Sequence, residues 1–148
     1  MSAQGQQFEV LIQSNTIPPE EWFRAMSAPK SELPELSQEQ REAVRKLDIS
    51  EEEYARTELA RRYGREGLRR RGERFGAIIQ RLLQELGGRG RVIALVYEGG
   101  KSRWVVRIEL PSGLRNLAIP EELVDDVLDS ELYESIQAVK QKLRAGLE

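Results

Sequence analysis

Residues 91–119 read RVIALVYEGGKSRWVVRIELPSGLRNLAI, and this stretch decides the fold. From Arg103 to Leu110 apolar and polar residues alternate, which is typical of a strand with one buried face. Val92–Tyr97 is apolar on both faces, which predicts a covered, central strand. Short glycine-containing turns separate these runs. We therefore expect an antiparallel meander of three strands, at 91–98, 103–110 and 114–119.

The alternation in the second strand also predicts which of its side chains are buried. Trp104, Val106 and Ile108 share one face, whereas Arg103 and Arg107 share the other. Because neighbouring side chains of a strand point to opposite faces, we expect the three apolar residues to be buried and both arginines to be exposed.

Helical patterns lie on both sides of the meander. Leu68–Leu86 carries apolar residues at steps of four and three, and Gly87-Gly88 ends this helix. A last helix near the C-terminus carries a single apolar stripe. Phe8–Ile12 alternates well enough to be a fourth, N-terminal strand. The sequence thus predicts an α+β fold, in which a three-stranded antiparallel meander packs with amphipathic helices and follows a helical N-terminal half.

Helix starts are recognisable in the N-terminal half. Pro18-Pro19 suits the first turn of a short helix. Two capping boxes follow, one made by Ser37 with Gln40 and one by Ser50 with Glu53. Each capping box predicts the first turn of a further helix.

The helical pattern that begins at Ser50 runs as far as Leu86, but its apolar stripe does not stay on one side. The stripe changes side at Gly64 and Gly67. Each glycine costs about 1 kcal/mol relative to alanine in a helix interior. We therefore expect two helices with a bend or break at 64–67.

The length of 148 residues fits a single domain over 1–148. We expect a strand, a short helix and a loop at 1–36, a helical part at 37–86, and the meander with C-terminal helices at 91–148. No run of about 18 apolar residues exists, so no membrane span is expected. The polar start lacks the apolar stretch of a signal peptide. These features indicate a cytoplasmic protein with no membrane partner.

The composition excludes several classes of chemistry. The chain has no cysteine and no histidine, which removes disulfides, zinc sites built on these residues, cysteine nucleophiles and triads with a histidine base. Gly100-Lys101-Ser102 resembles the end of a phosphate-binding loop, but Leu95 stands where that motif needs glycine, and the segment joins two strands. We interpret it as a hairpin turn and expect no enzyme activity, metal or cofactor.

Ala43–Arg56 resembles a helix-turn-helix motif, with Ser50 as the cap of the would-be recognition helix. Asp48 stands where the turn of that motif usually has glycine. Three glutamates at 51–53 occupy the start of the recognition helix, where they repel phosphates. We therefore interpret the segment as a structural helix corner rather than a DNA reader.

Charge is distributed unevenly, although the net charge is only −2. Residues 56–91 carry 11 basic and 4 acidic side chains, whereas the seven charges from Glu121 to Glu134 are all acidic. Such segregation indicates either internal pairing or a basic surface for an anionic partner; an ordinary solvated face in an arginine-rich protein is the plainer alternative. The candidate partner- or anion-binding residues are Arg61, Arg62, Arg65, Arg69, Arg70, Arg71 and Arg74.

Arg71 differs from the other candidates because it lies within the apolar stripe, three residues after Leu68 and four before Phe75. A charge there needs a carboxylate or the rim of the core, and the acidic stretch can supply one. Its i,i+4 carboxylate pairs could instead bind a divalent cation or act as acid and base, but an arginine-paired or solvated face is favoured. These carboxylates belong to Glu121, Glu122, Asp125, Asp126 and Asp129.

Two long apolar stripes predict self-association. We expect three short strands to leave part of these stripes uncovered, and uncovered stripes seek partners. Packing of both stripes within one chain is the alternative. The candidate residues for a homodimer are Leu68, Phe75, Ile79 and Leu82 on one helix and Leu132, Ile136, Val139 and Leu143 on the other.

These observations favour a non-enzymatic protein-binding or regulatory module, with an adaptor-like role, whose partner is another protein or a second copy of itself. The alternative is a nucleic-acid-binding protein that uses the arginine-rich stretch 56–74. A sequence pI near 5.5 disfavours that alternative, because nucleic-acid-binding domains are usually basic overall.

Overall fold

The computed structural model describes residues 8–13, 17–130 and 133–147 of the chain. Over these residues the protein has the expected α+β fold, with one four-stranded sheet and a helical N-terminal half. The strands are β1 (Glu9–Gln13), β2 (Arg91–Glu98), β3 (Arg103–Leu110) and β4 (Gly113–Pro120). The helices are α1 (Pro19–Met26), α2 (Gln38–Leu47), α3 (Glu51–Glu85), α4 (Glu121–Asp125) and α5 (Tyr133–Leu147).

The strands lie in the order β1-β2-β3-β4. The last three form the predicted antiparallel meander. The N-terminal strand is also confirmed, since β1 pairs in parallel with β2 and places Val10 opposite Leu95. The turn Gly99–Lys101 is a short 3-10 helix followed by Ser102 in the left-handed conformation, with φ 48°. It joins β2 directly to β3, as the hairpin interpretation predicts.

Burial along β3 confirms the predicted orientation of its side chains. Trp104, Val106 and Ile108 are at most 1% exposed, and Arg107 is exposed. Arg103, which we expected to be exposed, is only partly so, because its Nε lies 2.5 Å from a carboxylate oxygen of Glu98 on β2. We name the side of the sheet that carries Trp104, Val106 and Ile108 the inner face, and the opposite side the outer face.

α3 is continuous from Glu51 to Glu85, so the expected bend or break at 64–67 is wrong. The apolar stripe changes side because the two halves of the helix pack into different cores, Leu59 into one and Phe75 into the other. Gly64 is buried within this helix, and a Cβ there would make an ordinary contact of 3.4 Å with Cδ of Pro18. α3 is 35 residues long. Within the described ranges, however, no helix is both long enough and apolar enough to cross a membrane.

The chain divides into two compact units, and the boundary falls within α3 where the stripe changes side. We name Asn15–Gly67 the helical unit, and Met1–Ser14 together with Leu68–Glu148 the sheet unit. The expectation that 1–148 forms a single domain stays a prediction.

The helical unit is held together around Arg56 and a small core. Nη1 of Arg56 donates hydrogen bonds to the carbonyl oxygens of Ala25, Met26 and Ala28, at 3.1, 3.1 and 2.8 Å. These carbonyls lie at the end of α1 and just after it, where helices leave carbonyl groups without intrahelical donors, so one guanidinium donates to several of them at once. The core beside it contains Ala25, Ala28, Leu59 and Ala60.

The connection between α2 and α3 is a helix corner, as the sequence predicts. Ser37 and Gln40 form the expected capping box at the start of α2, and Oγ of Ser50 accepts a hydrogen bond of 3.0 Å from the backbone N–H of Glu53. Asp48 adopts the left-handed conformation between the helices, with φ 55°. Asparagine and aspartate tolerate this conformation better than most residues, so Asp48 replaces the glycine that such turns usually have.

The core of the sheet unit lies between the inner face of the sheet and helices α3, α4 and α5. α3 approaches the sheet closely at two glycines one helical turn apart. A Cβ at Gly72 would lie 2.6 Å from Cγ1 of Val10 and 2.9 Å from Cζ3 of Trp104, and a Cβ at Gly76 would lie 2.9 Å from Cδ1 of Leu95. The backbone of α3 therefore contacts the sheet directly at this point. The helix ends at Gly87 and Gly88, both in left-handed conformations, as predicted.

We expect Gly72→Ala to lower the free energy of unfolding by about 1–3 kcal/mol, because the added methyl group overlaps Val10 and Trp104. Gly67→Ala is the matched control on the same helix, since the nearest atom to its Cβ lies 3.9 Å away. Helix propensity predicts that this control gains up to about 1 kcal/mol. Urea unfolding measures both variants, and an equal effect of the two would contradict the close packing at Gly72.

Candidate functional site

The candidate arginines all lie on α3, and several of them contact groups of the protein itself. Nη1 of Arg61 lies 2.5 Å from a carboxylate oxygen of Glu58 on the same helix. Nη2 of Arg74 donates a hydrogen bond of 3.1 Å to the carbonyl oxygen of Leu128. The other candidates that are exposed on α3 are Arg62, Arg65, Arg69 and Arg70.

Arg71 binds two carboxylates of the acidic stretch, as expected for a charge within an apolar stripe. Its Nη2 lies 2.5 Å from Oδ1 of Asp125, and its Nη1 lies 3.1 Å from Oδ1 of Asp129. The two aspartates are four residues apart, at the end of α4 and in the π-helical turn Asp126–Ser130, so both point to one side. We name Arg71, Asp125 and Asp129 the arginine clasp.

The contact between Arg71 and Asp129 shifts the pKa values of both groups. The hydrogen bond from Arg71 holds the pKa of Asp129 below its ordinary value. Burial lowers the pKa of Arg71, but its hydrogen bonds and charge interactions with Asp129 and Asp125 raise it by more, so the pKa lies above its ordinary value. Arg71 and Asp129 are therefore both charged at neutral pH, and their contact in the clasp is an ion pair.

Glu121 of the acidic stretch also contacts the sheet. Its carboxylate accepts a hydrogen bond from the hydroxyl of Tyr97 on β2. Burial, together with this bond, raises the pKa of Tyr97 above its ordinary value. Within residues 8–13, 17–130 and 133–147, no group of three or more acidic side chains is placed to hold a metal ion. Side chains of Arg71, Arg74 and Tyr97 thus donate hydrogen bonds to the acidic stretch.

The candidate self-association stripes lie in the core of the sheet unit. Phe75, Ile79, Leu82, Val139 and Leu143 are at most 2% exposed. Leu68 and Ile136 are partly buried and pack against the same core, and Leu132 lies outside the described residues. The described residues of both stripes therefore pack within one chain. The expected homodimer stays a prediction, and it requires a different surface.

The apolar stripes are buried because the sheet is wide enough to cover them. The expectation of uncovered stripes rested on a sheet of three strands, whereas β1 adds a fourth strand beside β2. Phe8 and Val10 come from this N-terminal segment and contact α3 at Gly76 and Gly72. The wider inner face thus accommodates α3 together with the C-terminal helices.

The outer face of the sheet carries an apolar row across all four strands. Leu11 is the register partner of Val96, Val96 of Val105, and Val105 of Ala118. Leu11 is 47% exposed, Ala118 is exposed, and the two valines are partly exposed. We name these four residues the outer row. Register partners are direct neighbours, so the outer row is one continuous apolar patch.

Charged and polar pairs surround the outer row along β2, β3 and β4. Toward one end of the strands, Arg103 binds Glu98 with an Nε–Oε1 distance of 2.5 Å. Toward the other end, Nε of Arg91 lies 2.9 Å from Oε1 of Glu109. Between them, Nε of Arg107 donates a hydrogen bond of 3.2 Å to the side-chain oxygen of Asn116. The outer face thus has an apolar centre and a rim that is polar except at Leu114 and Pro120 on β4, which are exposed.

Sequence reasoning missed the outer face, although two signals for it were present. Val92–Tyr97 is apolar on both sides, and we interpreted this as coverage of both sides, whereas α3, α4 and α5 cover only the inner one. Val105 is an apolar residue at an outward position of the alternating strand β3. A row across four strands, however, becomes visible only when the pairing register is known.

We expect Arg71→Ala to lower the free energy of unfolding by about 1 kcal/mol at about pH 7, a value discounted for the partial exposure of the clasp. Arg69→Ala, the control on the exposed side of α3, should change it by less than about 0.5 kcal/mol. Because the folded pKa of Asp129 is lowered, the contribution of the clasp is present at neutral pH and is lost as the pH falls below about 4. Denaturant unfolding of wild type and Arg71→Ala at about pH 7 and pH 3 measures this contribution. If the difference in the free energy of unfolding between the two proteins were the same at both pH values, the ion pair would be contradicted.

Comparison with known proteins gave no match to this chain: no family model, no curated protein and no solved structure matches it.

Proposed function

We propose that the chain is a non-enzymatic protein-binding module that binds a second copy of itself through the outer face of the sheet. The observation that carries this proposal is the outer row, which is apolar across four strands and partly exposed to solvent. An apolar centre surrounded by a polar rim is the usual anatomy of a protein interface. The cytoplasmic location expected from the sequence stays a prediction.

Burial of the outer row supports association energetically. Each Å² of apolar surface removed from water contributes about 25 cal/mol, and the four side chains would be buried together. Single exposed apolar residues are common on protein surfaces and need no partner. Four adjacent ones in the middle of a sheet face are different, because they form one continuous patch that a single partner can cover.

The charge of the outer face supports a protein partner over a nucleic acid. Its described strand positions carry three acidic and three basic side chains, so they have no excess of either sign. A nucleic-acid site needs an excess of basic side chains, because binding depends on neutralising phosphates. The acidic residues are Glu9, Glu98 and Glu109, and the basic residues are Arg91, Arg103 and Arg107.

We expect the wild-type chain to form a dimer at concentrations up to about 100 µM, and Ala118→Glu to weaken it by at least about tenfold, because a carboxylate at the outer row must be desolvated. Ala77→Glu is the matched control: it makes the same change at an exposed position of α3, and the dimer should persist. Sedimentation velocity over a concentration series measures the mass of each protein.

Both alanines are exposed, so neither variant should lose its fold, and circular dichroism spectra check this. A wild-type mass that stays monomeric over the whole concentration series would contradict self-association. Equal weakening by Ala118→Glu and Ala77→Glu would contradict the assignment of the interface to the outer face.

The alternative function, nucleic-acid binding through 56–74, has less support. Arg56 binds three carbonyl oxygens of the helical unit, and Arg71 is held in the clasp. Arg61 and Arg74 also contact groups of the chain. An arginine that already has acidic or carbonyl partners gains less from a phosphate, because those contacts must first be broken.

We expect fluorescent single- and double-stranded oligonucleotides to bind only weakly, with dissociation constants above about 10 µM at moderate salt, as for non-specific binding. Fluorescence anisotropy at low and moderate salt measures this. The variant Arg62→Glu, Arg65→Glu and Arg69→Glu is the control for the exposed arginines. Submicromolar binding that this triple variant abolishes would favour the alternative function.

A further inference from the structure

We infer that the two copies pack outer face to outer face about a two-fold axis that runs parallel to the strands, between β2 and β3. This inference rests on the proposed function and adds to it the symmetry of the complex, which decides which residues meet. Two-fold symmetric dimers are the commonest homo-oligomers, and their interface must be complementary to itself. Self-complementarity can therefore be tested on one copy alone.

The outer row is self-complementary about this axis. The rotation exchanges β1 with β4 and β2 with β3 and keeps the position along the strands. Each residue of β1 therefore lies opposite the β4 residue in the same row across the sheet of the second copy, and each residue of β2 lies opposite its register partner on β3. Leu11 therefore faces Ala118 of the second copy, and Val96 faces Val105 of the second copy. The largest side chain of the row meets the smallest, and valine meets valine. Such alternation of large and small side chains lets two sheets interdigitate at their spacing of about 10 Å.

The ion pairs of the rim are self-complementary about the same axis. Glu98 and Arg103 are register partners on β2 and β3, so the rotation places Glu98 opposite Arg103 of the second copy. Arg91 and Glu109 are also register partners, at the other end of the strands, and are exchanged in the same way. All four side chains are at least partly exposed. Each end of the interface would then hold four charges of alternating sign, which steers and orients association.

The other two-fold axis that keeps the outer row in register lies along the row, perpendicular to the strands. It exchanges the positions two residues before and two residues after the row on each strand. On β3 these positions are Arg103 and Arg107, so each would face the like charge of the second copy. Like charges brought together across an interface weaken association. The charges of β3 therefore select the axis parallel to the strands.

The size of the face predicts the strength of the dimer. The strands lie about 4.8 Å apart, and three strands of eight residues with one of five, at about 3.3 Å per residue, present a flat area of roughly 450 Å². Stable complexes bury about 800 Å² on each partner, and smaller interfaces are typical of weak association. We therefore expect a dissociation constant in the micromolar range, which sets the concentrations of the experiment.

The test uses two charge-reversed chains, Glu98→Arg and Arg103→Glu. Alone, each places four like charges at one end of the interface, so each homodimer should weaken at least about tenfold relative to wild type. Mixed in equal amounts, the two chains place arginine opposite glutamate at both contacts, so a heterodimer should form with an affinity close to that of the wild type. The pair within each chain remains broken in the mixture, so any recovery comes from contacts between chains. Native mass spectrometry distinguishes the heterodimer from either homodimer by mass.

The outcomes separate this inference from the proposed function. If the wild type dimerises and Ala118→Glu disrupts it, but the mixture forms no heterodimer, the axis is wrong and the outer-face interface stands. If Arg103→Glu alone strengthens the homodimer, the axis along the outer row is correct instead, because the new glutamate would face Arg107 of the second copy. If the wild type stays monomeric throughout, both the axis and the proposed function are wrong.

Discussion

The contact of the α3 backbone with the inner face of the sheet, at Gly72 and Gly76, is the constraint on which the sheet unit depends. Because neither residue has a side chain, Val10, Leu95 and Trp104 pack directly against the helix. The neighbouring apolar residues of α3 then enter the core. The helices of the sheet unit thus cover the inner face of the sheet and leave the outer row on the opposite face at least partly exposed. Gly72 and Gly76 let α3 pack on the inner face. The outer face is therefore the one that remains for the proposed binding site.

The charged side chains also fall into two groups: some join helices of the chain to one another, and others lie on the outer face. The basic stretch of α3 and the acidic stretch after β4 meet in the arginine clasp, where Arg71 binds Asp125 and Asp129. The outer face keeps a balanced set of charges around the outer row. This balance favours a partner with the same pattern, and a second copy of the chain has that pattern by definition. The net charge of −2 therefore says little about any one surface, because charges that join helices and charges on the outer face are counted together.

Local signals predicted most of the elements and little of the site. Alternation in 103–110, the turn at 99–102 and the serine caps act over a few residues, so the meander and the helix starts could be read directly. The continuity of α3 could not be predicted from local signals, because its apolar stripe changes side where the helix passes from one core to the other. The buried position of the apolar stripes depends on the parallel pairing of β1 with β2, which are distant in sequence. The outer row depends on the same long-range register, although Val105 at an outward position was a visible sign of it.

Distance measurement between two labelled copies tests the outer-face dimer most directly. The chain has no cysteine, so Asn116→Cys on the outer face and Ala77→Cys on the exposed side of α3 each accept one nitroxide label. Two sheets stacked outer face to outer face should place the labels at 116 about 20–30 Å apart. The labels at 77 should be about 40 Å apart or more, because a sheet and a helix from each copy lie between them. Pulsed electron spin resonance measures both distances at a concentration where the dimer is populated. Shorter distances at 77 than at 116, or no coupling between copies at either position, would contradict the outer face as the site where a second copy binds.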